Sequence, residues 1–201
     1  RGPAHSSCNL RLRTTYKIPI FLHNFRNYDS HLIVPAFKLL NNTRLEIIGQ
    51  NLEKYLTLTW DSNLVFKDSL QFLSGSLEQL VMCLLKSGKQ NFVQLREAFA
   101  PLTDEEGIEM LLRKGVYPYD YMGAEARLQE TCLPSRQHFF SRLTNKECSE
   151  EDYDRAKRVW IKFNCKTMQD YHDLYLKTDV LLLADVFESF RRATIDTFGL
   201  D

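Results

Sequence analysis

Two aspartates carry the chemistry most plainly written in this sequence. Asp29 ends the run Phe21-Leu22-His23-Asn24-Phe25-Arg26-Asn27-Tyr28-Asp29. Asp179 lies within Tyr171-His172-Asp173-Leu174-Tyr175-Leu176-Lys177-Thr178-Asp179-Val180-Leu181-Leu182-Leu183-Ala184-Asp185. Each sits at the edge of a strongly apolar element with an aromatic and a polar neighbour. Burying a carboxylate is costly unless a partner offsets its desolvation, and a divalent cation is a common partner. Two such carboxylates from distant parts of one chain point to metal-assisted phosphoryl transfer.

The elements that must position these groups follow from hydrophobic patterning. Lys17 to His23 reads as a strand ending in a polar turn, followed by a helix from about Ser30 to Leu40. Arg44 to Gly49 and Tyr55 to Trp60 alternate like strands, and Leu64-Val65-Phe66 continues the sheet. Ser76 is a candidate N-cap for a helix that Gly88 ends, and two further helices are expected over Asn91 to Ala100 and Asp104 to Arg113. Gly115 to Pro134, rich in Gly, Pro and Tyr, reads as an extended loop. Ser149-Glu150-Glu151-Asp152 opens a helix running to about Asn164, with its acids in the favourable first turn. A last helix is expected from Thr167 to Phe198, with a break near Lys177-Thr178 and Gly199 past its end. Tyr175 and Asp179, four residues apart, then share one helical face.

Simpler roles exist for each group. Asp29 has the chemistry to cap a helix starting at Ser30, and Asp179 to sit in the first turn of a helix capped by Thr178. Tyr175 fits the rim of a core. Lys114 before Gly115 fits a helix-terminal cation followed by a glycine cap.

A resemblance weighs against those roles. Asn24-x-x-x-Tyr28-Asp29 resembles the second exonuclease motif of family B DNA polymerases, and Tyr175-x-x-x-Asp179 resembles their third. Between them, Ser69-Leu70-Gln71-Phe72-Leu73 is similar to the Ser-Leu-x-x-hydrophobic motif, and Lys114-Gly115-Val116-Tyr117 to the Lys-x-x-hydrophobic motif, of the protein-primed branch. The stretch Arg113-Lys114-Gly115-Val116-Tyr117-Pro118-Tyr119-Asp120-Tyr121 is similar to polymerases of Maverick/Polinton-type mobile elements. The four motifs stand in the family's order across nearly the whole chain. The resemblance implies that Asp29 and Asp179 are metal ligands, for magnesium or manganese in the complete enzyme. It implies that Tyr175 acts on the attacking water or the scissile phosphate, and that Lys114 contacts phosphate or stabilises the transition state. Asn24, Tyr28, Ser69, Leu70 and Arg26 would then hold single-stranded DNA, with base stacking worth ~1–3 kcal/mol per base.

The family's first exonuclease motif, Asp-x-Glu, should precede Asn24, yet no Asp or Glu occurs before Asp29. The expectation is therefore a fragment of a larger polymerase or a decayed copy, inactive on its own, with its palm outside this chain. Arg1-Gly2-Pro3-Ala4-His5-x-x-Cys8-Asn9 resembles the tail of an endonuclease VII-like zinc segment. The division expected is thus residues 1–15 as that tail and 16–201 as a partial exonuclease domain. His5 and Cys8 are only two ligands, and no bound zinc is expected from them.

Composition bounds the remaining possibilities. The chain has 201 residues, 44% of them apolar, enough for a core, and no run approaches the ~20 apolar residues of a membrane span. The 26 basic and 26 acidic residues balance, but Arg1, Arg11, Arg13, Lys17 and Arg26 precede the first acid. That basic stretch suits phosphate binding by counterion release, or equally a solvated terminus. Five scattered cysteines without a CxxC pair suit reduced intracellular thiols.

The fold class expected is α/β, a mixed sheet followed by helices, with a partial ribonuclease H-like exonuclease domain implied by the resemblance. Its partners would be single-stranded and primer-template DNA and a terminal priming protein, in the nucleus or a viral factory, without a membrane. The alternative is a non-catalytic single-stranded DNA-binding remnant; a third reading is an endonuclease-associated structural domain.

Overall fold

The computed structural model describes residues 17–37, 39, 44–49, 51, 54–61, 63–143 and 145–199. The 1–15 segment with His5 and Cys8 lies outside them. The chain divides into two compact units, the first ending at Ser74 and the second beginning at Gly75.

The described residues of the first unit form a mixed four-stranded sheet, an α-helix and two short 3₁₀ turns. Its strands are β1 (Ile18–Leu22), β2 (Leu45–Gly49), β3 (Tyr55–Trp60) and β4 (Leu64–Asp68), in spatial order β1-β4-β3-β2. β1 runs parallel to β4, and the other pairs are antiparallel. The register aligns Ile20 with Phe66 and Phe66 with Leu58, so three apolar side chains stand along one rung. Helix α1 (Asp29–Phe37) covers that rung with Ile33, Val34 and Phe37 around the buried Phe25, Leu58 and Phe66. The Phe37 ring lies 5.1 Å from Trp60 and 5.9 Å from Phe66. α1 is described as far as Phe37 and carries Pro35 within it; Lys38 and Leu40, the last part of the expected helix, lie outside the described residues.

The second unit is helical. α2 (Leu77–Lys86) starts at a capping box: the Gln79 N–H donates to the Ser76 hydroxyl at 3.3 Å, and the Ser76 N–H donates to Gln79 Oε1 at 3.0 Å. α3 (Val93–Phe99) and α4 (Glu105–Leu111) follow, with Asp104 capping α4 through the Gly107 N–H at 3.0 Å. Between α4 and α5 (Glu150–Lys162) the described residues form short 3₁₀ turns at Glu125–Gln129 and Arg136–Phe139 and an antiparallel bridge between Ser141 and Lys146.

α6 (Met168–Phe198) is 31 residues long, about 46 Å at 1.5 Å per residue. Thr167 and Asp170 form its capping box, and Gly199 closes it in the left-handed conformation at φ 65°. The break expected at Lys177-Thr178 does not occur. The Thr178 hydroxyl donates to the Leu174 carbonyl at 2.8 Å, satisfying itself within the helix, so Thr178 caps nothing and Asp179 lies mid-helix. Buried Met168, Tyr171, Thr178, Leu182, Asp185 and Val186 recur at helical spacing and form the inward face. Asp185 is an acid in that face for a structural reason: it accepts the N–H groups of Gln94 and Leu95 at 2.8 and 3.1 Å, at the start of α3.

Candidate functional site

In the first unit, the polar turn after β1 is organised by a residue outside every motif, Asp68. Its side chain is completely buried at the end of β4. It accepts the N–H groups of Asn24 at 3.0 Å, Arg26 at 3.2 Å and Leu70 at 3.0 Å, and the Arg26 guanidinium stands 3.5 Å away. Three main-chain donors and one cation compensate the desolvated charge. Asn24 can then hold φ 65°, a left-handed turn that Asn tolerates, with its Oδ1 accepting from Asn27 Nδ2 at 2.6 Å. Ser69 is also fully buried, donating to the Leu22 carbonyl at 3.3 Å and meeting His23 Nδ1 at 3.0 Å. The Asn24 and Ser69-Leu70 motifs are thus one structural group joined by Asp68.

Within that group the residues differ in access. Tyr28 is half exposed, whereas Arg26 and Leu70 are partly buried. Asp29 is the first residue of α1, where its charge meets the positive end of the helix. Ser69 is buried, so any influence it has on a ligand passes through His23 and Asn24.

In the second unit, Tyr175 and Asp179 occupy one face of α6, as their spacing requires. Burial is the main cause that pushes the Asp179 carboxyl above the usual carboxylate range, opposed by the Tyr175 hydroxyl and the positive charge of Lys114. Asp179 Oδ1 is buried and has no hydrogen-bond partner. Burial first, then the Asp179 charge and Tyr119, push the Tyr175 phenol far above its ordinary value. Tyr175 therefore holds its proton more tightly than an ordinary phenol.

The segment after α4 shapes the surroundings of Tyr175. The Tyr119 hydroxyl shares a 2.7 Å hydrogen bond with the Tyr175 hydroxyl. The Tyr117 ring stacks on Tyr175 at 5.0 Å, and its hydroxyl meets His172 Nδ1 at 2.8 Å. A Cβ at position 115 would stand 2.9 Å from the Tyr175 ring, so this close approach requires Gly115. The role of Gly115 here is this contact with Tyr175. This segment lies against Tyr175 of α6 through Gly115, and the charge of Lys114 acts on Asp179.

Chemically, the arrangement offers a desolvated carboxylate with an orphan oxygen, a neutral phenol donor and a cation. Among the described residues no three His, Cys, Asp or Glu side chains come together as a metal-binding group. The four described cysteines are free thiols. No helix of the described residues is long and apolar enough to cross a membrane.

Asp68 and Tyr119 were not singled out from the sequence. The signal for Asp68 was present: an acid shortly after the apolar run Leu64-Val65-Phe66, directly before Ser69. Compared with protein-family models, curated proteins and solved structures, the chain gives no match.

Proposed function

We propose that this chain is the 3′-5′ exonuclease region of a protein-primed family B DNA polymerase of the Maverick/Polinton type, with a partial ribonuclease H-like fold. The observation that carries the reading is the group formed by Lys114, Tyr175 and Asp179. A buried carboxylate oxygen without a protein partner, on the same helix face as the Tyr175 phenol, suits an ion and a phosphate.

The sheet supports the reading. β1 lies at one end of the order β1-β4-β3-β2, and among the described residues no strand pairs with its other edge. That edge suits a further strand carrying Asp-x-Glu. Single-stranded DNA is the substrate proposed, with Tyr28 stacking a base, and Asn24 and Arg26 on the turn that Asp68 fixes. Leu70 packs beside that turn, and Ser69 supports it from within.

One carboxylate with a nearby lysine does not hold two divalent ions, so the described residues alone do not fit that site. Asp29 and Asp179 are proposed as ligands that the complete enzyme supplements with Asp-x-Glu. Magnesium or manganese is the cofactor proposed for that complete enzyme. The chain's own residues hold the strand, donate a proton-bearing hydroxyl from Tyr175 and offset phosphate charge from Lys114. Polymerisation on primer-template DNA, a terminal priming protein and a nuclear or viral-factory location belong to the parent protein in this proposal.

The second reading is a single-stranded DNA-binding remnant without catalysis. Both readings require DNA binding. Titration of a fluorescent oligonucleotide tests that requirement: wild type binds in a salt-dependent way, and Tyr28→Ala weakens binding about 5-fold or more, whatever the base sequence. Equal affinity of the two proteins contradicts the role of Tyr28, and salt-independent binding contradicts phosphate contact.

A further inference from the structure

We propose that Arg155 is a positioning residue, holding the main chain at Lys114 so that the segment carrying Lys114 and Gly115 stays seated against Tyr175 on α6. The inference rests on the functional reading of Lys114, Tyr175 and Asp179 given above and adds to it a residue from another helix, α5.

The Arg155 side chain is only 12% exposed. Its Nη2 donates to the Lys114 carbonyl at 2.9 Å, across 41 residues of sequence. The same nitrogen meets Asp152 Oδ1 at 3.3 Å, one turn earlier in α5. Asp152 is fixed in turn by the α5 cap: the Ser149 hydroxyl donates to Asp152 Oδ2 at 2.8 Å, and the Asp152 N–H donates to Ser149 Oγ at 3.1 Å. A chain of bonds therefore runs from the helix cap through Asp152 and Arg155 to the main chain of Lys114.

Two further contacts hold the segment beyond Lys114. The Tyr171 hydroxyl donates to the Val116 carbonyl at 2.7 Å, and Gly115 lies against the Tyr175 ring. The main chain at 114 to 116 is thus held from both sides, by α5 at Lys114 and by α6 at Val116. A small cavity of about 30 Å³ lies beside the two fastenings, lined by Gly115, Val116, Arg155, Tyr171, Tyr175 and Thr178 among others.

Arg155 Nε is buried and has no hydrogen-bond partner. A buried donor left unmet is costly. The guanidinium is therefore placed by its acceptors, Asp152 and the Lys114 carbonyl, and not by satisfaction of all its donors. Lys114 has a flexible side chain of four methylenes, and its aim depends on a fixed main chain.

The test combines hydrogen exchange with DNA binding in the chain as it stands. Arg155→Met keeps the apolar stem and removes the donors. It should raise amide exchange over residues 113–118 about 10-fold while leaving α2 unchanged. Arg155→Lys, which retains a donor, should fall between wild type and Arg155→Met. Asp152→Asn loosens Arg155 without altering the packed stem and should give a smaller rise in the same segment, which keeps the test open if Arg155→Met does not fold.

In oligonucleotide titration, Arg155→Met should weaken binding no more than Lys114→Met, and the double variant should bind like Lys114→Met alone. Unchanged exchange at 113–118 in both Arg155→Met and Asp152→Asn overturns the inference, as does full additivity with Lys114→Met. If Lys114→Met binds DNA like wild type, the DNA reading of Lys114 fails, and the exchange result still decides whether Arg155 fixes this segment.

Discussion

Asp68 accepts a hydrogen bond from the main-chain N–H of Asn24 at 3.0 Å, joining residues 44 apart in sequence. The same carboxylate takes the N–H of Leu70 at 3.0 Å. One buried charge therefore defines the turn after β1 and the turn after β4 together. Removing it should leave main-chain donors and a guanidinium without their acceptor.

Asp68→Ala is expected to destabilise the first unit by about 3 kcal/mol, because buried donors lose their partner. Asp68→Asn retains one acceptor oxygen and should cost less. Urea unfolding followed by Trp60 fluorescence, with Trp160 replaced by Phe, measures this. A loss in Asp68→Ala below about 1 kcal/mol would show that the turn is held by other contacts.

Gly115→Ala should disturb the second unit through one contact. The added methyl would lie 2.9 and 3.2 Å from two carbons of the Tyr175 ring, closer than carbon atoms pack. The expected cost is about 1–3 kcal/mol, with a change in the near-ultraviolet circular dichroism of the tyrosines. A variant with unchanged stability and an unchanged tyrosine signal would contradict the close approach of segment and helix.

The helices and strands were largely legible because their signals are local. Ser76 with Gln79, Asp104, Ser149 and Thr167 all cap as their residue types indicate, and Gly199 ends α6 in the conformation glycine favours. Errors arose where a local signal had two physical outcomes. Thr178 suggested a cap, but its hydroxyl bonds back to Leu174 and leaves the helix intact. The arrangement around Asp68 and Arg155 was not legible, since each depends on partners more than 40 residues away. Nothing in the spacing of Asp68, Asn24 and Arg26 predicts that they meet.

Cys165 supplies a pH-dependent prediction. Burial is the main cause that pushes its thiol up to about 11. At pH 8 the folded chain should therefore hold Cys165 as an unreactive thiol, while iodoacetamide modifies the exposed Cys83 and Cys132. An unfolded thiol titrates near ~8.5. Folding holds this proton more tightly, so stability should fall as pH rises from about 8.5 towards 11. Mass spectrometry of the alkylated peptides decides the point; Cys165 labelled as fast as Cys83 would contradict its burial.

The central claim is that Asp179 belongs to an exonuclease site completed by an Asp-x-Glu strand. The most direct measurement is digestion of a 3′-labelled single strand in magnesium by residues 1–201, by a chain extended with an Asp-x-Glu strand ahead of Asn24, and by Asp179→Ala in that longer chain. The account predicts negligible digestion by residues 1–201, since too few carboxylates are present for two ions. It predicts release of nucleoside monophosphates by the longer chain and loss of that activity in a folded Asp179→Ala variant. Robust magnesium-dependent digestion by residues 1–201 alone, or undiminished digestion by Asp179→Ala, would contradict it.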